Sequence, residues 1–286
     1  MTQTNTRIIP ITSNTMFNEL CGKEENKEVL SYLLSNYLEV PYDLVYDNII
    51  HLNTSLGIDH IKDYKYNTDI IVSLNDVIIN LEMNNIFWEG IKNRNFSYIT
   101  GIVGKQYESD KGKKQFKKIK KHIQINLNNY NEPENRKIQI LKLKDIETNE
   151  EIDILEIHNV NLVVIKNECY NKNVSELTGI EKVSRFLLSE TNEDIKGVIG
   201  EMDEILDKIM ALSNDERLIG LYNEEELQEA IKEGMRLAGI NEGIEQKQKE
   251  VVVNMLNKNF DIKTISEITN LSNVEIEKIK EEMNNQ

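Results

Sequence analysis

Proline is scarce, at 3 of 286 residues, which excludes long proline-rich linkers. The 2 cysteines, Cys21 and Cys169, are far apart and fit no metal or redox spacing. A disulfide framework and a cysteine zinc site are thereby excluded, and two thiols in a reducing cytoplasm are expected. The 4 histidines, His51, His60, His122 and His158, show no paired ligand spacing. A glycine-rich phosphate loop, a nucleophile elbow and a Cys–His signature are all missing. No apolar run approaches the roughly 18 residues of a membrane helix. The opening residues lack the basic start and apolar centre of a secretory signal, so a cytoplasmic protein is expected. Positive charge is also short, with 34 Lys and Arg against 49 Asp and Glu, a net charge of −15. That is the wrong sign for coating a polyanion, so any such contact must be local.

What remains is ordinary globular material, 39% hydrophobic and 29% charged. The length suffices for one large domain or two smaller ones.

One stretch stands out, Asp69 to Asn84. Asn75-Asp76 is a turn signal between two β-branched runs, Ile70 to Leu74 and Val77 to Leu81. A symmetric hairpin pairs residues whose numbers sum to 151, which sets Asp69 opposite Glu82. The strand period of two puts Ile70, Val72, Leu74, Val77, Ile79, Leu81 and Met83 on one face. The other face carries Asp69, Ile71, Ser73, Ile78, Asn80, Glu82 and Asn84. Like charges opposed across a ladder repel. Either these acids mark where the hairpin meets solvent, or a cation sits between them, and oxygen ligands suit a divalent one. Lys65 would share the face of Asp69 if the strand extends back that far.

The rest of the chain divides by periodicity. Residues 14–21 and 26–39 read as helices, the second ended by Pro41, and 44–54 as extended. Residues 86–107 read as a helix with Phe87, Ile91, Tyr98 and Ile102 on one stripe and Arg94 on the same stripe. Arg94 serves there either an internal ion pair and stacking on Tyr98, or a carboxylate or phosphate; Gln106 faces the same way. Strands are expected at 119–127, 137–144, 151–157 and 160–166. After Thr178 helical spacing dominates, at 194–211, 224–238 and 243–257. Phe260 to Met283 resembles a helix-turn-helix with a capping box at Ser272 and Glu275. Its second helix offers mostly glutamates, which favours packing or oligomerisation over base reading.

One strongly basic run exists, Lys111 to Lys121, with seven lysines in eleven residues. It is either a solvated turn or a clamp on a phosphate backbone. Beside the acidic hairpin the clamp is favoured, with Lys105, Lys111, Lys113, Lys114, Lys117 and Lys118 as its contacts.

Asp69, Glu82 and the polar residue at 84, on a hairpin followed by a helix, resemble the signature of the PD-(D/E)XK nuclease superfamily. Within it the chain is similar to the recombination-promoting nuclease/putative transposase family. That similarity is carried by Phe17, Gly22 to Asn26, Leu81-Glu-Met-Asn84, Phe87, Arg94, Tyr98 and Gln106. It continues through Glu233-Gly234, Glu242-Gly243 and a closing Ile-x-x-Ile-Thr-x-Leu-Ser at 265–272, and so covers nearly the whole chain. The chain departs from the family at Asn84, usually Gln, and at Asn14 and Asn18, usually Asp and Lys.

The resemblance implies an α/β fold, a restriction-endonuclease-like α/β/α core with a central mixed sheet, followed by an all-α C-terminal region. It implies a DNA endonuclease that uses Mg²⁺, with Mn²⁺ as a substitute. Asp69 and Glu82 would hold the metal, Asn84 would complete the catalytic set, and Arg94, Gln106 and Lys65 would support it. The expected division is a nuclease-like domain at 1–178, a helical extension at 179–258 and a small module at 259–286. Two other classes stay open: a degenerate nuclease fold that only binds DNA or protein, and a helical protein that forms homo-oligomers.

Overall fold

A computed structural model of the chain describes residues 6–52, 55–56, 66–108, 120–131 and 135–284, with the side chains of 55–56, 66–67, 105–108 and 284 excepted. Helices α1 (Asn14–Cys21), α2 (Lys27–Leu38) and α3 (Tyr42–Asn48) lead into short strands β1 (Ile49–His51), β2 (Ser55–Leu56) and β3 (Tyr66–Asn67). The hairpin follows as β4 (Ile70–Leu74) and β5 (Val77–Asn84), then α4 (Ile91–Glu108), β6 (Lys121–Asn128), β7 (Ile138–Lys144) and β8 (Glu151–Asn161). Helices α5 (Leu162–Cys169), α6 (Gly179–Leu187), α7 (Asn192–Ile199) and α8 (Asp203–Ser213) come next. The chain closes on α9 (Glu216–Asn257), α10 (Ile262–Thr269) and α11 (Asn273–Asn284). Among the described residues no helix is long and apolar enough to cross a membrane.

Among the described residues the main sheet has six strands in the order β1-β4-β5-β6-β8-β7. Strands β5, β6 and β8 run parallel, and the remaining pairs are antiparallel, so the sheet is mixed. The β5–α4–β6 crossover sets α4 on one face, as a parallel pair requires. Ile99 and Ile102 of α4 pack there on Ile71, Ile78, Leu155 and Ile157. The opposite face carries the main core, where Ile70, Val72, Ile79, Leu81, Ile125 and Leu127 meet residues of α1, α2 and α5 to α8. Both faces of the hairpin are therefore covered, and only one of them is apolar along its whole length.

Phe17 is fully buried in that core. Phe17→Ala is expected to lower unfolding stability by about 3–5 kcal/mol, read from chemical denaturation, because its neighbours span helices and sheet that cannot all close on the void.

Several boundaries differ from the sequence expectation. Residues 44–48, expected to be extended, belong instead to α3, where Pro41 takes the N-cap position and Tyr42 stacks on Tyr46 one turn later, rings 5.7 Å apart. The apolar run 160–166 splits at Asn161, whose side chain accepts the Val164 N–H at 3.1 Å and starts α5 in place of the expected strand. The stripe at 194–211 is two helices, parted by Gly200 at φ 67, a C-terminal glycine in a conformation other residues avoid. Gly234, Gly239 and Gly243 instead lie within α9, which runs unbroken through the two segments expected there.

Contacts group the chain into two compact units, Met1–Asn223 and Glu224–Gln286. Helices α6 to α8 belong to the first and share its core. In the second, Val252, Ile265 and Ile276 form a small core of their own. Ser272 and Glu275 make the expected capping box, with reciprocal bonds of 2.8 and 3.3 Å.

Candidate active site

The hairpin closes in the expected register, with Ile70 opposite Leu81 and Leu74 opposite Val77. Asn75 takes the left-handed conformation at φ 52, which asparagine tolerates and which permits so short a turn. Asp69, one residue before β4, and Glu82 then bind each other's strand. Asp69 Oδ2 accepts the Met83 N–H at 2.8 Å, and Glu82 Oε1 accepts the Asp69 N–H at 3.3 Å.

Both carboxylates lie in poorly solvated surroundings, Glu82 with only 2% of its surface exposed. Burial, and then the charge of Asp69, pushes Glu82 up to about 8. Burial also raises Asp69 above the usual carboxylate range, against the Met83 amide and the charge of Arg94, which favour its ionised form. A pair strained toward protonation in this way is what a shared cation would relieve. Among the described residues, the hydrogen bonds to Glu82 fall on Oε1 and the bond to Asp69 on Oδ2. Oδ1 of Asp69 and Oε2 of Glu82 thus remain as hard oxygen donors, which suit Mg²⁺ or Mn²⁺ with water filling the other positions. Among the described residues no group of three or more His, Cys, Asp or Glu gathers as a metal cage.

Asn84 lies on the same strand face, buried, with both ends of its amide engaged. Its nitrogen donates to Asn128 Oδ1 at 3.0 Å and its oxygen accepts from Arg94 Nη2. Arg94 also donates to Asn95 at 3.3 Å and lies over the Tyr98 ring, 5.5 Å from its centre. Its charge favours the ionised form of both Asp69 and Glu82. Phe87 is not on the helical stripe. The helix starts at Ile91, after a turn in which Trp88 covers Gly90 so closely that any Cβ there would overlap the indole.

Gln106 and Lys105 belong to the last turn of α4, and their side chains lie outside the described part. Lys65, Lys111, Lys113, Lys114, Lys117 and Lys118 also lie outside the described residues. The end of the basic run is committed elsewhere. Lys121 pairs with Asp153 at 2.6 Å and Glu156 at 2.8 Å, and Lys120 reaches the hairpin turn at Asn75 O, 3.1 Å away. Asn14 and Asn18 are exposed on α1, where Asn18 donates to its own helix backbone at Asn14 O.

Two polar sets emerge that residue-by-residue motif reading passes over. On the face of Glu82, buried Asn80, Gln124, Asn126 and Asn128 stand beside the acids. The sequence signal for them is the alternation Gln124-Ile-Asn-Leu-Asn128, a strand polar on one face and apolar on the other. On the opposite face, Tyr37 Oη meets His158 Nδ1 at 2.6 Å, and His158 Nε2 meets Glu156 at 2.8 Å. Burial alone would raise Glu156, but Lys121 and His158 hold it down to about 2. That cluster ties α2 to β8, and the apolar core lies around it.

A family model for PD-(D/E)XK nuclease family transposases matches residues 13–235. No curated protein and no solved structure matches the chain.

Proposed function

The chain belongs to the PD-(D/E)XK nuclease family transposases, and from that premise we propose that it is a divalent-metal-dependent DNA endonuclease with Asp69 and Glu82 as its metal ligands. The observation that carries the proposal is the buried, cross-bonded carboxylate pair on the hairpin. When bound, a divalent cation would polarise the scissile phosphate and lower the pKa of an attacking water.

The protein's own groups do the rest. Asp69 and Glu82 each keep one oxygen outside the bonds that cross-link their strands. Asn84 occupies the motif position that is charged in lysine-bearing relatives, and it brings no charge. Instead its oxygen anchors Arg94, a permanent cation whose field reaches both acids. Arg94 is therefore assigned the electrostatic part of the motif, and Asn84 the part of holding it. Tyr98 beneath the guanidinium and Asn95 beside it limit its rotamers. The lysines between α4 and β6 are assigned the DNA backbone, a contact that is sequence-blind and weakens with salt.

Plasmid nicking with and without Mg²⁺ tests this. Wild type is expected to nick in Mg²⁺ and not in EDTA, and Asp69→Ala to lose the activity while keeping its far-ultraviolet circular dichroism. Salt-sensitive DNA binding with no metal-dependent cut in wild type would instead mark the chain as a binding module.

A further inference from the structure

The face of the sheet that bears Glu82 changes character along its length. Toward the amino ends of β5 and β6 it carries Ile78, Leu155 and a buried histidine, His122, and Ile71, Ile78, Leu155 and Ile157 pack under α4. From Asn80 and Gln124 onward β5 and β6 bear a row of buried amides, although the neighbouring strands fill the same face with Ile71 and Ile157. Burying amides costs desolvation, and a partly satisfied polar row is worse than an apolar one. Such a row calls for a role.

The row is continuous. Asn80 Nδ2 donates to Glu82 Oε1 at 3.2 Å and to Gln124 Oε1 at 2.7 Å. Gln124 Nε2 donates to Asn126 Oδ1 at 2.8 Å, and Asn126 Nδ2 to Asn159 Oδ1 at 2.8 Å. Asn159 Nδ2 then donates to Gln139 Oε1 at 3.1 Å, on the edge strand β7. Asn80 Oδ1 has no hydrogen-bond partner among the described residues, although Asn80 is completely buried. The amide is held by its nitrogen alone.

The polarity follows from one end. As a ligand of a bound cation Glu82 is ionised and only accepts, so the Asn80 atom that faces it in that state is its NH₂ group. That obliges Gln124 to offer its oxygen to Asn80, and every later rung follows in the same sense. Gln124 is the rung that decides which way Asn80 faces, because it touches Asn80 directly and is itself anchored by Asn126.

We propose that Gln124 is a positioning residue for the metal site: through Asn80 it fixes the rotamer in which Glu82 shares a divalent cation with Asp69. The inference rests on the nuclease reading above and extends its metal site by a supporting network. Outer groups of this kind, which orient a ligand without touching the ion, are commonly worth about 10–100-fold in metal affinity.

Titration of Mn²⁺ into the full-length protein tests it, by calorimetry and by the electron paramagnetic resonance spectrum of the bound ion. Gln124→Met keeps the volume and removes both amide groups. It is expected to weaken Mn²⁺ binding about tenfold and to broaden the bound-ion spectrum, with a lower thermal midpoint in the metal-free protein because Asn126 loses its donor and Asn80 an acceptor. Asn126→Leu cuts the row one rung further out and serves if Gln124→Met does not fold; a smaller weakening, about threefold, is expected. A folded variant that binds Mn²⁺ with wild-type affinity and a wild-type spectrum overturns the role of Gln124. Glu82→Gln separates the two levels of the argument. If wild type binds Mn²⁺ and Glu82→Gln does not, the metal site stands and Gln124 is judged on its own result. If both bind alike, or neither binds, the metal assignment falls and the role of Gln124 falls with it.

Discussion

Glu82→Gln is expected to abolish Mg²⁺-dependent nicking and to make the metal-free protein more stable. The two effects share one cause. Glu82 is nearly inaccessible and stands against Asp69, so its ionised form is unfavourable in the folded chain, and its pKa rises to about 8. A neutral amide of the same shape removes both penalties. Its oxygen accepts the same two bonds, from the Asp69 and Asn80 nitrogens. The gain should be a few kcal/mol in EDTA at pH 8 to 9, since Glu82 is raised from about 4.3 to about 8 and each pKa unit corresponds to about 1.4 kcal/mol. Removing an oxygen ligand should cost more than the roughly 100-fold seen for groups that only orient ligands. Nicking rates and urea denaturation on one preparation check both halves. Retained nicking, or a clear loss of stability, would contradict the assignment of Glu82 as a strained metal ligand.

The second large effect is on pH dependence. In the folded, metal-free protein both Asp69 and Glu82 have raised pKa values. A carboxyl group raised on folding favours the native state while protonated. Its contribution is complete below the unfolded value of about 4.3 for glutamate and declines as pH rises to about 8. The metal-free protein should therefore lose a few kcal/mol between pH 5 and pH 8.5, the opposite of the usual salt-bridged carboxylate. Saturating Mg²⁺ should remove most of that slope, because binding to the native state adds about 2.7 kcal/mol at 100 times the dissociation constant and displaces the protons. Thermal midpoints across that range, in EDTA and in Mg²⁺, give the result. Parallel curves in the two conditions would mean that the acids do not share an ion. In Glu82→Gln the metal-free slope should largely vanish.

The hairpin is legible in the amino-acid sequence alone. The register that sets Asp69 opposite Glu82 follows from a two-residue turn and the alternation on either side, both local features. The helix that bears Arg94 and the capping box at Ser272 are equally local. The segments that depart from expectation are those where a single residue at a helix end overrides the surrounding pattern: Asn161 by its side-chain cap, Gly200 by its positive φ and Pro41 by its fixed φ. An apolar run such as 160–165 fits a buried strand and a buried helix equally well, and the cap decides. The division of labour at Asn84 is hidden for another reason. Its partners, Arg94 and Asn128, come from a helix and a neighbouring strand, and only tertiary pairing brings them together. The amide row is the same case on a larger scale: its rungs alternate visibly along β6, but their continuity depends on the parallel alignment of β5, β6 and β8.

The tight bend at Asn75-Asp76 has a consequence for how this protein can change over time. Because the two acids come from opposite arms of one hairpin, a single inserted or deleted residue in either arm between them turns part of that arm over and sends one acid into the oily side of the sheet. Point substitutions there can drift, but single-residue changes in the length of an arm cannot. Single-residue changes of length within either arm are thus closed to any descendant that keeps the chemistry, whatever its other residues become.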